Sequence, residues 1–243
     1  MDTRRVIKRI LPRQVLDYVR SIRNRGYKNL TPEQVFTKIY ESGVWGKSGD
    51  PGRPFFSGSG SHQEEEVNAY VRSVSDFLDS LGEKPDVVDI GCGDFSIGSR
   101  LRSHCGHYTA CDVVPALIEF NKAYFQDLAV EFRLLDLVKD DLPPGKVAFI
   151  RQVLQHLSNE QIGRFVTRVS STYKYLVVTE HLPSEPGFQP NADKPVGPGT
   201  RMGYESGVVL TSPPFNLRPK SEVQLCKVNS VDTGTLVTTL YAF

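Results

Sequence analysis

Val87-Val88-Asp89-Ile90-Gly91-Cys92-Gly93-Asp94 is the stretch that decides the fold. An apolar run that ends in a Gly-x-Gly turn is how a nucleotide-binding βα unit begins. A second acid, Asp112, closes the next apolar run, Tyr108 to Cys111. In such a unit the turn lets backbone approach a ligand closely, and an acid about 20 residues further on accepts both hydroxyls of a ribose. Gly91 and Gly93 supply the turn here, and Asp112 the ribose acceptor.

The rest of the loop discriminates between adenosine cofactors. A dinucleotide fingerprint needs Gly-x-Gly-x-x-Gly, so that pyrophosphate sits on a helix N-terminus. The sixth position is Ser96, and the next glycine is Gly98. Asp94 adds a carboxylate where pyrophosphate would be repelled. NAD is therefore disfavoured. A donor with an ammonium group, a sulfonium and no phosphate, S-adenosylmethionine, suits the loop better, with Asp89 and Asp94 as the candidate acids.

The segments DIGCGDFS, YTACDVVPALIEFNK, LLDLVKDDLP and RQVLQHLSNEQI follow one another in the order and spacing of the cofactor motifs of class I S-adenosylmethionine-dependent methyltransferases. More narrowly, FTKIYESGVWG, the SGSGS after it and the late SPPFNL resemble a bacterial methyltransferase family often encoded beside glycosyltransferases of surface-polysaccharide clusters. The resemblance runs from about Phe36 to the C-terminus. It implies that Gly91 and Gly93 face the methionine part, Asp112 and Val113 the ribose and adenine, Asp136 and Leu137 the adenine edge, and Arg151 and Gln152 the methionine side. Trp45 and Ser59-Gly60-Ser61 would close over the donor.

With 243 residues and 39% hydrophobic content, one large α/β core with an N-terminal appendage is expected. Strand-like runs at 86–90, 108–111, 130–134, 147–150 and 175–179 alternate with helical segments at 97–103, 115–125 and 159–169. Two further runs, 223–228 and 236–243, read as a final hairpin. The expected fold is a doubly wound, Rossmann-like, mostly parallel α/β sheet of seven strands with a terminal antiparallel hairpin, ligands binding at the strands' carboxyl ends. Residues 31–243 form that domain. Within it, 31–81 supply N-terminal helices and a lid loop at 44–61, and 182–217 form an insertion too long for an ordinary connection.

Residues 1–30 hold nine Lys or Arg against two Asp, a charge of +7, so the remainder carries −6 of the net +1. Val6, Ile7, Ile10, Leu11 and then Val15, Tyr18, Val19, Ile22 recur at helical spacing, interrupted at Pro12. Such a basic helical arm suits peripheral contact with anionic membrane, nucleic-acid contact, or packing on the core as a solvated cap. Four cysteines without a Cys-x-x-Cys pair read as structural thiols of a reducing compartment. No run of about 18 apolar residues and no apolar signal core occurs. A cytoplasmic location follows, with attachment to the inner face of the membrane as an extension of it.

Methyl transfer is an in-line displacement from an activated donor, so alignment and exclusion of water dominate. A hydroxyl acceptor would gain from a base. His156, after the fourth strand, and His181, after the fifth, are the candidates, with Glu180 competing. Arg201 would meet an anionic group of the acceptor or face solvent, Tyr204 and Asn216 mark the insertion, and Ser212-Pro213-Pro214-Phe215 would wall the substrate loop. Asp140-Asp141 and Glu64-Glu65-Glu66 are expected to face water, and no metal site is expected. The reading is a methyltransferase for a hydroxyl of a sugar, glycan or small metabolite. An RNA or protein methyltransferase and a non-catalytic cofactor-binding scaffold are the rivals, nucleic acid being disfavoured as a partner.

Overall fold

The computed structural model describes residues 25–230 and 234–243. Most of the basic arm, residues 1–24, lies outside the described residues. The elements are α1 (Pro32–Ser42), α2 (Glu64–Asp79), β1 (Val87–Ile90), α3 (Gly98–Leu101), β2 (Tyr108–Asp112), α4 (Pro115–Tyr124), β3 (Glu131–Leu134), β4 (Val147–Arg151), α5 (Asn159–Thr172), β5 (Tyr175–Leu182), β6 (Ser221–Asn229) and β7 (Thr235–Ala242).

The strands form one seven-stranded sheet in the order β3-β2-β1-β4-β5-β7-β6. The first five are parallel, and β7 pairs antiparallel with both β5 and β6. The pleat sends alternate residues into two cores. Val88, Ile90, Ala148, Ile150, Leu176 and Val178 enter one, shared with α1 and α5; Val87, Val147, Phe149 and Val177 enter the other, shared with α2. Covering on both faces is why β1 and β2 are buried along their whole length, as parallel strands require.

The helices begin where side chains satisfy the orphan amides of a first turn. Thr31 Oγ1 accepts from Gln34 N at 3.3 Å, while Gln34 Oε1 accepts from Thr31 N at 3.0 Å, with Pro32 at the first helical position. Ser158 and Gln161 repeat the device at α5. α1 buries Val35, Phe36 and Ile39, and ends at Gly43 in the left-handed conformation, φ 63°. The lid loop starts there.

Three expectations need correction. β5 runs to Leu182, so His181 lies within the strand, paired with Leu236, instead of beyond its end. Glu66 does not face water: it stands on the inner stripe of α2 with Val67 and Tyr70 and is 3% exposed. The segment between β5 and β6 forms a single helical turn, Arg201–Tyr204, and lays Val208, Leu210 and Leu217 against the sheet as part of the core. Among the described residues no helix is long and apolar enough to cross a membrane. All four cysteines are free.

Candidate active site

The glycine turn leaves β1 at the carboxyl edge of the sheet. Gly91 N and Cys92 N both donate to Cys111 O, at 2.8 and 2.9 Å, which folds the turn onto β2. Gly91 has φ +77°, and a Cβ there would collide with the Val153 side chain; Gly93 has φ +56°, and its Cβ would collide with Ser57 Oγ. Both positions therefore need glycine for conformation and for space. Behind the turn, the fully buried Asn121 of α4 donates to Gly93 O at 2.8 Å.

A cavity of about 250 Å³ opens in front of this turn. Gly91, Gly93, Asp112, Val113, Asp136, Leu137, Arg151, Gln152, Trp45, Ser59, His156 and His181 all line it. The sequence separates these residues by up to 136 positions, and the sheet's carboxyl edge collects them.

The acids differ in what they do. Asp112 accepts from Gly93 N and Val114 N, both at 3.1 Å, one bond on each oxygen. A carboxylate has about four acceptor positions, so these bonds leave capacity for a ribose hydroxyl. Burial raises its carboxyl to about 6, against the pull of those backbone bonds. Asp89 also lines the cavity, and burial raises it to about 7 although Tyr108 OH donates to it at 3.0 Å. Asp136 accepts from Val138 N at 2.9 Å and pairs with Lys139 at 3.1 Å, so it is both a turn acid and part of the wall.

Asp94 departs from its expected role: it turns to the lid and does not line the cavity. Its Oδ2 accepts from Ser57 N at 3.0 Å and lies 2.9 Å from His62 Nε2, while Oδ1 accepts from Ser96 Oγ at 2.6 Å. Burial alone would raise its pKa, but the bonds from His62 and Ser96 hold it at about 2. The loop is fastened at further points. Tyr40 OH meets Ser57 Oγ at 2.9 Å, Arg151 donates to Gly60 O at 2.8 Å, and Trp45 Nε1 donates to Pro198 O at 3.2 Å.

Beyond the turn the wall becomes aromatic and neutral. His156 is 7% exposed, its ring 4.9 Å from Trp45 and 6.4 Å from Phe36 between centroids. Burial, aided by Lys194, drives its pKa down to about 3, so the imidazole is neutral. His181 is half-buried on the same cavity. Glu180 is buried outside it, accepting from Leu154 N at 3.1 Å, and burial raises it to about 8.

The insertion contributes Pro198 and Thr200 to the cavity, but not its other expected members. Arg201 is neither solvent-exposed nor turned to an acceptor: it is fully buried on carbonyls of the chain. Pro213 and Pro214 are exposed away from the cavity, as is Asn216, because Asn191 Nδ2 holds Val209 O and Pro213 O at 2.9 and 2.8 Å and folds that loop onto itself. Tyr204 also stands outside the cavity. Asn121, Tyr40 and Ser57 are the site residues that sequence reading missed. Asn121 carried a signal, a polar residue on the same helical stripe as Leu117 and Ile118.

Residues 87–174 match the family described as Methyltransferase domain, and this segment contains the glycine turn, Asp112, Asp136 and the β4 end. The N-methyltransferase NodS from Bradyrhizobium japonicum WM9, solved with S-adenosyl-L-homocysteine, superposes with a TM-score of 0.59 at 14% identity, covering 86% of this chain and 98% of that one. A DhpI–SAH complex gives 0.50 at 17%, covering 75% and 89%. The bifunctional kinase-methyltransferase WbdD gives 0.52 at 16%, covering 75% of this chain and 40% of that one, so the chain spans well under half of WbdD's length. No curated protein matches the sequence. The chain has the fold of these methyltransferases, and its residues 87–174 match the methyltransferase-domain family.

Proposed function

We propose that this chain transfers a methyl group from S-adenosylmethionine to a hydroxyl of a sugar, glycan or small metabolite. The observation that carries the reading is a single cavity that joins the Gly91 turn and Asp112 to His181 and to His156, which packs against Trp45. S-adenosylmethionine supplies a methyl group already activated on a sulfonium. The residues present fit it: Asp112 has acceptor positions left for a ribose, and Asp89 and Asp112 favour a cationic ligand over a diphosphate. That NodS and DhpI were solved with S-adenosylhomocysteine supports the same donor here.

The chain's own work is alignment and proton handling. Trp45, Phe36 and Pro198 exclude water from the acceptor side, and Gln152 and Gln155 offer neutral hydrogen-bonding groups. A buried imidazole with a pKa near 3 orients a hydroxyl well but stores a proton poorly, so His156 is read as the orienting group. His181, half-buried on the same cavity, is read as the proton acceptor. Residues 1–30, with their +7 charge, are read as a peripheral contact to anionic membrane, which would suit a glycan acceptor assembled there.

Calorimetric titration tests the donor. The protein is expected to bind S-adenosylhomocysteine and to give no heat with a nicotinamide dinucleotide. The reverse pattern would remove the methyltransferase reading altogether.

A further inference from the structure

The insertion grips the end of β4 through buried cations. Arg201 is 0% exposed, and its guanidinium donates to Leu154 O and Leu157 O at 2.9 Å each, to Asn159 Oδ1 at 2.8 Å and to Ala192 O at 3.1 Å. Lys194 Nζ donates to His156 O at 3.1 Å, and Gly197 N to the same carbonyl at 3.2 Å. From the other side, Glu180 Oε1 accepts from Leu154 N at 3.1 Å. The single helical turn Leu154–His156 is thus held at its amide end by the Glu180 carboxyl and at its carbonyl end by Arg201 and Lys194, acceptor to amide and donors to carbonyls as a helical turn calls for.

Gln155 and His156 stand on that turn and line the cavity. A guanidinium is a planar fork that holds two carbonyls at a fixed separation, whereas an ammonium is a point charge that cannot. Burial makes the arrangement costly unless each donor is used, and four of the guanidinium's five N–H groups have an acceptor at hydrogen-bonding distance or share one.

We propose that Arg201 is a positioning residue: by bridging Leu154 O and Leu157 O it fixes the turn that carries His156 and Gln155 on the acceptor wall. This rests on reading that wall as the acceptor side. The 182–217 segment then serves the active site from behind, as a brace, more than from the front as a specificity loop.

Full-length protein with ¹⁵N-labelled histidine tests it, the His156 ring signals being assigned by their loss in His156→Gln. Arg201→Lys keeps the charge and loses the fork. It should shift or split the His156 ring signals, while S-adenosylhomocysteine affinity, set by the glycine turn and Asp112, which Arg201 does not touch, changes by less than about twofold. A purely structural Arg201 would lower Tm and leave the ring signals where they are, and that result overturns the proposal. If Arg201→Lys fails to fold, Asn159→Ala, which removes one acceptor of the fork, is read in the same way. Should the parent protein not bind S-adenosylhomocysteine, the methyltransferase reading falls while the ring signals still decide the role of Arg201.

Discussion

Asp94 Oδ2 and His62 Nε2 lie 2.9 Å apart, and the same carboxylate oxygen accepts the Ser57 amide at 3.0 Å. One residue of the glycine loop thereby fastens residues 57–62, where the lid loop ends over the cavity. The acid that a sequence reading assigns to the donor is spent on the lid.

Removing that charge should loosen the roof without dismantling the floor. Asp94→Asn is expected to cost about 1 kcal/mol at the Ser57 amide, given a half-exposed histidine partner, and to speed its hydrogen exchange about fivefold. Exchange measured by mass spectrometry on peptides covering 53–62 checks this. Unchanged protection would mean that Arg151 and Trp45 hold the loop alone.

Asp112→Ala should weaken S-adenosylhomocysteine binding by about 1–3 kcal/mol, through ribose hydroxyls left without acceptors. Calorimetry reads the change directly. Gly91→Ala should abolish binding, since φ +77° and the Val153 side chain leave no room for a Cβ.

The two histidines should separate kinetically once an acceptor is in hand. His181→Ala is expected to lower kcat about 10²-fold or more with donor affinity kept, as loss of a base does. His156→Ala should raise KM for the acceptor more than it lowers kcat. The opposite assignment of effects would exchange their roles.

Acid stability offers a test that needs no substrate. The folded His156 has a pKa near 3 against an ordinary 6.5. Below pH 6.5 the unfolded chain takes up a proton that the folded chain refuses, so this residue's contribution is complete above pH 6.5 and is lost as pH falls toward 3. Asp89, raised to about 7, acts in the opposite direction over part of that range. The difference between His156→Gln and the parent isolates the histidine. The variant's urea midpoint should fall less steeply from pH 6.5 to 4.

Deletion of residues 1–30 should release the protein from anionic vesicles in flotation. Retention on vesicles would place the contact elsewhere.

The sheet was legible because β1, β2 and β4 are buried on both faces, and such strands read as continuous apolar runs: VVDI, YTACD, VAFI. The lining of the cavity was legible where its residues follow directly from strand ends, as Gly91, Asp112, Asp136 and Gln152 do. What could not be read were side-chain directions set by distant partners. Asp94 points to the lid because Ser57 and His62 approach it, Arg201 is internal because four carbonyl or amide oxygens surround it, and Glu66 lies on the buried stripe of α2 despite two exposed neighbours of the same type. Local composition carries no record of such meetings.

The strand order has a kinetic corollary. β6 leaves the ribosome before β7, yet it stands at the rim and pairs with no strand but β7, while β7 fills the slot against β5 and pairs Leu236 with His181. Its backbone has no strand to pair with until its younger neighbour is seated. The β5 edge that carries His181 therefore stays bare on one side until β7 pairs with it, and closure of that side of the cavity waits on the latest-made strand of the sheet.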